Sequence, residues 1–266
     1  MEIADFQNML RRRGKELYRD MSWRRDIRPY YVLASELMLQ QTQVARVEPK
    51  FQEFIARFPD ESTLANASLA EVLVVWQGLG YNRRAKFLHA AATMITYEFG
   101  GVMPDTDMEL RRLPGVGENT AGAILAYAFN QPALFIETNI RTVYIYHFFN
   151  DAPSVSDQQI RELLSITLDH DNPRRFYQNL MDYGTWLKNQ GVKNIAKSKH
   201  YKKQSVLKGS VRELRGDMIR VLLDGVRTVE EFDTLFRADP RYQVALEGLL
   251  RDGLIEQVSN QFRLTQ

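Results

Sequence analysis

The sequence predicts a mainly α-helical protein that ends in a small β-hairpin. Apolar residues recur at three- and four-residue spacing through most of the chain. No convincing apolar–polar alternation occurs before the C-terminus. There, residues 254–258 and 261–265 read as two short strands joined at Ser259-Asn260. At 266 residues and 44% hydrophobic content, the chain can bury a sizeable core and would ordinarily form two or three domains. No apolar run approaches the roughly 18 residues of a membrane span, so the expectation is a soluble protein.

The elements follow in order. Residues 1–22 lack an apolar signal core and read as an amphipathic helix. Trp23-Arg24-Arg25 and Pro29-Tyr30-Tyr31 make an irregular entry to a helix over 32–46, with Leu33, Leu37, Val44 and Val47 on one side. Short helices are expected over 51–58, 63–67, 69–76 and 83–99. Two more, over 108–113 and 120–129, flank Pro114-Gly115-Val116-Gly117. Two glycines two apart allow a sharp turn and a close approach to the backbone. The helix that follows offers free N–H groups and a positive dipole end, which suits a phosphate; a helix corner that only packs would read the same. Helices over 141–149, 160–167 and 176–187 come next, then three more over 213–223, 229–236 and 241–251.

Composition narrows the chemistry. The chain has no cysteine, which excludes disulfides, thiolate catalysis and cysteine-ligated zinc or iron–sulfur centres. Four scattered histidines show no metal-ligand spacing. The net charge of +2 is near neutral, so the distribution of charge says more than its sum.

Four segments together carry a resemblance. They are SELMLQQTQVARVEPKFQEFIARFP (35–59), WQGLGYNRRAKFLHAAA (76–92), LPGVGENTAGAIL (113–125) and RFYQNLMDYG (175–184). In this order and at this spacing, the chain from Trp23 to Gly184 resembles the helix-hairpin-helix DNA glycosylases of the endonuclease III superfamily, on the side of the MutY-type adenine glycosylases. The resemblance implies a six-helix barrel domain with the hairpin over 23–132 and a second helical domain from 1–22 and 133–208. It further implies that Glu36 is the general acid that protonates the extruded purine, a need that follows from the poor leaving ability of an adenine anion. Gln40, Gln41, Thr42 and Tyr81 would meet DNA beside the extruded nucleotide, and Trp23 and Arg24 would line the base pocket. Gly115, Val116, Gly117 and Thr120 would hold a phosphate. Taken alone, Glu36 and Gln41 would be helix-surface residues and Tyr81 a packed aromatic.

Three departures from the family pattern stand out. Glu137 occupies the position of an aspartate that stabilises the sugar cation, with one methylene more; misplacement by about 1 Å can cost roughly a hundredfold in rate. Asn139 matches an asparagine that hydrogen-bonds this carboxylate. Glu137 also suits a plain helix start. Asn119 replaces the Schiff-base lysine of bifunctional relatives, which implies a glycosylase without an efficient lyase step and leaves the base preference open. Finally, the stretch 188–208, where relatives hold four cluster-binding cysteines, has seven lysines and no acidic residue. Lys197, Lys199, Lys202 and Lys203 are expected to contact phosphates there, although lysine runs are also common as solvated linkers.

The tail, residues 209–266, has three helices and a hairpin and resembles a winged helix, which suits DNA or a protein partner. It does not resemble the nudix-like domain of MutY enzymes. The expectation is therefore a cluster-free monofunctional DNA glycosylase acting on duplex DNA, most readily on adenine in a mispair. A different mismatched, damaged or modified base is the alternative, as is a non-catalytic DNA-binding protein. No cofactor is expected beyond a monovalent cation at the hairpin, and no membrane contact. A monomeric, cytoplasmic, nucleoid-associated protein is anticipated.

Overall fold

A computed structural model describes residues 2–201 and 204–265. Its helices, in order, are α1 (Ile3–Glu16), α2 (Ser22–Arg25), α3 (Pro29–Leu39), α4 (Val44–Arg57), α5 (Glu61–Ala65), α6 (Leu69–Trp76), α7 (Arg83–Tyr97) and α8 (Asp107–Leu110). They continue with α9 (Glu118–Tyr127), α10 (Thr138–Phe148), α11 (Asp157–Thr167), α12 (Pro173–Asn189), α13 (Val211–Leu223), α14 (Val229–Phe236) and α15 (Tyr242–Arg251). The strands β1 (Arg227–Thr228), β2 (Ile255–Val258) and β3 (Gln261–Leu264) form one antiparallel sheet in the order β1-β3-β2. Among the described residues no helix is long and apolar enough to cross a membrane.

The chain divides into two compact units, with one division falling inside α3 between Glu36 and Leu37. The first contains residues 1–36, 104–112 and 116–203. Its core is built around Phe6, Leu10, Phe135, Ile140, Tyr144 and Tyr177, with Phe135 stacked on Tyr177 at 4.0 Å between centroids. Helix α12 starts with Pro173 at its first position and an Asn172 cap, a combination that favours initiation. It packs closely on α10, and Gly184 makes this possible: a Cβ there would lie 2.6 Å from the Asn139 carbonyl oxygen.

The second unit holds residues 37–103, 113–115 and 204–266. Phe54, Phe58 and Trp76 form its aromatic centre. In its C-terminal part, Phe232 sits against Phe236, Tyr242 and Phe262. The Lys86 ammonium donates to the carbonyls of Asp252 and Gly253, both at 3.0 Å, which fastens α7 to the end of α15.

Several boundaries differ from the sequence expectation. The helix anticipated over 32–46 is two helices, because the chain turns at Gln40–Gln43 with Gln41 at φ +60°. The cause lies elsewhere in the sequence: buried Arg84 donates to the carbonyls of Leu37, Met38 and Gln40 at 2.6–2.7 Å, ending α3 with a cation. The second of these helices, α4, starts at Val44 and continues through Pro49 rather than starting after it. Helix α1 stops at Glu16, well short of residue 22. Strand β1, only two residues long, was not anticipated.

Candidate functional site

Glu36 projects from α3 and Glu137 stands at the N-cap of α10, both in the first unit. Each is enclosed by protein yet keeps part of its surface accessible. Glu137 makes no capping hydrogen bond, so its side chain is not used as a helix start would use it. Burial raises the Glu36 carboxyl well above the ordinary carboxylate range; the neighbouring Glu137 charge adds to this and Arg24 opposes it. Burial also raises Glu137, opposed by Arg141 and Lys188. Two carboxylates that feel one another resist simultaneous ionisation.

Burial is the larger cause at both, and the charges around the two differ. Glu137 has two cations acting on it, Lys188 and Arg141, the latter itself paired with Asp157 at 2.7–2.8 Å. Glu36 has Arg24, whose charge is already committed: its Nη1 and Nη2 donate to Asp182 at 2.8 and 3.0 Å. Arg19 Nε donates to the same carboxylate at 2.6 Å, and the Asp182 side chain is fully buried. The stronger rise at Glu36 makes it the better holder of a proton shared between the two. Tyr127, half-buried at the end of α9, completes the group; burial and the charges of both glutamates push its phenol up, so it stays a neutral hydroxyl.

Other expected site residues are placed as follows. Trp23 is buried, and Arg24 is held by Asp182. The Asn139 side chain does not bond Glu137: its Nδ2 points to Met181 Sδ at 3.9 Å and its Oδ1 is buried without a partner. The close packing of Gly184 on Asn139 accounts for this, since it holds the amide against α12. Asn119 Oδ1 accepts from the Ile136 N–H at 3.1 Å, which ties α9 to the residue before Glu137. In the hairpin only Gly115 takes a left-handed conformation, at φ +80°, with Phe87 where a Cβ would go; Gly117 is the extended N-cap of α9. Val116 is buried, and Thr120 lies in the first turn of α9.

The residues expected to meet DNA form two loops in the second unit. Gln40, Gln41 and Thr42 follow α3, and Tyr81 precedes α7. Arg84 joins them, donating to Gln40 O, Thr42 Oγ1 and Gly80 O. Gln41 and Tyr81 both have positive φ, +60° and +49°. In the lysine-rich stretch, Lys197 donates to the Asn150 carbonyl and Lys199 is exposed. Lys202 and Lys203 lie outside the described residues. Val155 bonds Lys197 O and is bonded by Lys199 N–H at 2.8 and 2.9 Å, and Asn194 donates to Thr142 O at 2.9 Å, so the stretch is docked on its unit by its own hydrogen bonds. Its side chains offer no thiolate for an iron–sulfur cluster. Sequence reasoning missed Arg84, Asp182, Tyr127 and Lys188. Asp182 and Arg84 lay within quoted motifs, but nothing local marks an arginine as a buried hub.

A family model described as the HhH-GPD superfamily of base excision DNA repair proteins matches residues 34–166. The chain is 34% identical over 263 residues to an adenine DNA glycosylase of Mycolicibacterium smegmatis, covering 91% of this chain and 89% of the relative. It is 36% identical over 168 residues to an adenine DNA glycosylase of Buchnera aphidicola, covering 62% of this chain and 47% of the relative. With the adenine DNA glycosylase of Homo sapiens the identity is 37% over 195 residues, 69% of this chain and 36% of that one. The chain thus spans about half or less of the length of the latter two. Among solved structures, a thermostable thymine-DNA glycosylase superposes with a TM-score of 0.61 at 23% identity, covering 68% of this chain and 85% of that one. Endonuclease III trapped covalently on DNA gives 0.58 at 18% identity, covering 70% and 87%. At these identities the likeness is one of fold.

Proposed function

Because the chain belongs to the HhH-GPD superfamily of base excision DNA repair proteins, we propose that it extrudes a base from duplex DNA and hydrolyses its N-glycosidic bond. Adenine in a mispair is the base proposed. The observation that carries the reading is the pair of enclosed, mutually repelling carboxylates, Glu36 and Glu137, with unequal cation support. Chemistry on a stacked base requires its extrusion. Glu36, whose carboxyl burial raises well above the ordinary carboxylate range, donates its proton to a ring nitrogen of the extruded base, so that the electron pair of the C1′–N bond leaves on a neutral base. Glu137, ionised, stabilises the positive charge developing on the sugar. Water then bonds to C1′ and gives its proton to the carboxylate.

Asn119 has no amine with which to form a Schiff base, which supports a glycosylase without an efficient lyase step. Gly117, the N-cap of α9, has no Cβ and would let a phosphate approach the start of that helix. The longer side chain at Glu137 and the Asn139 amide turned away from it favour a second reading, release of a different mismatched or damaged base.

The test is base release from duplexes bearing adenine opposite guanine or 8-oxoguanine, thymine or uracil opposite guanine, and oxidised or alkylated bases. Hot alkali would reveal the abasic sites. Wild type and Glu137→Asp are run side by side. Adenine release by the wild type is expected, with Glu137→Asp within about tenfold of it. Release of another base would change the substrate and keep the chemistry. Tight binding with no release from any duplex would leave a DNA-binding protein and end the catalytic reading.

A further inference from the structure

The phenol of Tyr81 is gripped by residues more than 120 positions away in the chain. The Gln204 amide donates to its oxygen at 2.7 Å, and Arg212 donates to the same oxygen. The Arg212 guanidinium also lies 4.6 Å from the centre of the ring, on which Arg84 sits at 5.5 Å. The same Gln204 amide nitrogen reaches the carbonyl of Gln41 at 3.5 Å, so one side chain bridges both loops. Arg212 is itself fixed by donation to Ser205 O at 3.1 Å. All these groups line one groove of about 1040 Å³ in the second unit, together with the amides of Gln43 and Gln77.

We propose that the C-terminal segment positions the wedge: Gln204 and Arg212 hold Tyr81, and Gln204 also holds the Gln41 loop, in the conformation that enters the DNA stack. The inference rests on the extrusion step of the function proposed above. Three physical arguments carry it. A side chain that replaces a base in the stack must be rigid before it enters, since ordering it then would cost the free energy that extrusion requires. Tyr81 and Gln41 both occupy a left-handed conformation that non-glycine residues rarely adopt, and such strain persists only where surroundings impose it. Here the surroundings are Arg84, which donates to the Gln40 and Gly80 carbonyls, and the tail residues Gln204 and Arg212. With two donors on the phenol oxygen, its own hydrogen remains for the nucleic acid, so Tyr81 would meet an acceptor atom on DNA. The cation beside it strengthens that donor.

Gln204 and Arg212 are thus positioning residues, and their loss should affect extrusion rather than chemistry. The experiment uses the full chain and a duplex with 2-aminopurine at the target position, whose emission rises on unstacking. A second duplex places the target opposite an abasic site, where it is already loosened. On the stacked duplex, Arg212→Ala and Arg212→Gln should reduce unstacking by at least about tenfold, the scale of a lost charge-assisted hydrogen bond. On the loosened duplex the loss should be under about twofold. Arg212→Lys should recover part of it, and Tyr81→Phe combined with Arg212→Ala should be no worse than the poorer single variant. Equal losses on both duplexes, or additive losses in the double variant, would overturn the proposal, as would failure of the wild type to unstack the base. Emission does not depend on bond cleavage, so unstacking without base release would sink the catalytic reading alone. Normal unstacking by Arg212→Ala would sink the clamp alone.

Discussion

Glu36 is asked to be an acid at a pH where an ordinary glutamate has already lost its proton. Burial and the Glu137 charge both raise its carboxyl, and the one opposing cation, Arg24, is engaged by Asp182. Base release should therefore fall as pH rises through this raised value, in proportion to the neutral acid remaining. Replacement by Gln, which cannot donate a proton in this way, should lower release by at least about a hundredfold while DNA affinity, measured by anisotropy, changes little. The same shift has a consequence for stability. The folded state keeps the Glu36 proton to higher pH than the unfolded chain does, so stability is fully present below the ordinary carboxylate pKa. It is lost as pH rises toward the folded value. Glu36→Gln should accordingly melt above the wild type near neutral pH, with the difference vanishing below about pH 4. A variant that loses activity and gains no thermal stability at neutral pH would contradict the burial of the acid.

At the scale of elements, the site depends on how closely α12 lies on α10. Gly184 Cα abuts Asn139, so an added Cβ would meet the Asn139 carbonyl oxygen, Cβ and Cα at 2.6, 2.8 and 2.9 Å. None of these is the end of a flexible side chain, and relief would require the helices to part. Gly184→Ala should destabilise the protein by about 3 kcal/mol. The strain falls two residues from Glu137, so release should drop more than DNA binding. A denaturant melt and a single-turnover assay would measure both. The sequence displayed this glycine within MDYG but not its reason, since helix-on-helix distance is a tertiary quantity. Glu36, Glu137 and the hairpin glycines could be read because their neighbours in the chain form recognisable patterns. Arg84 could not: its side chain serves carbonyls from residues 37 to 80, and only folding brings these together. For the same reason the expected Asn139–Glu137 bond failed, because the sequence shows their spacing but not the amide's competing neighbour, Met181.

Over the whole molecule, a net charge of +2 gives little general attraction for DNA, so affinity must come from local cations. If the lysine-rich stretch supplies them, its lysines are unequally placed to do so. Lys197 is spent on the Asn150 carbonyl, where it holds the docked stretch, whereas Lys199 is exposed beside it. A lysine that neutralises a phosphate releases about 0.9 of a counterion from duplex DNA, and its removal lowers the slope of log affinity against log salt by that amount. Lys199→Ala should thus reduce the slope by nearly one and leave the melting temperature unchanged. Lys197→Ala should instead lower the melting temperature and leave the slope within about 0.3 of the wild type. Titrations of duplex DNA between 50 and 200 mM salt, on the order used for such slopes, would separate the two. If both substitutions left the slope untouched, the stretch would be a structural plug for its unit and the phosphate contacts would lie elsewhere. If both lowered it equally, the hydrogen bond of Lys197 would have to yield when DNA binds.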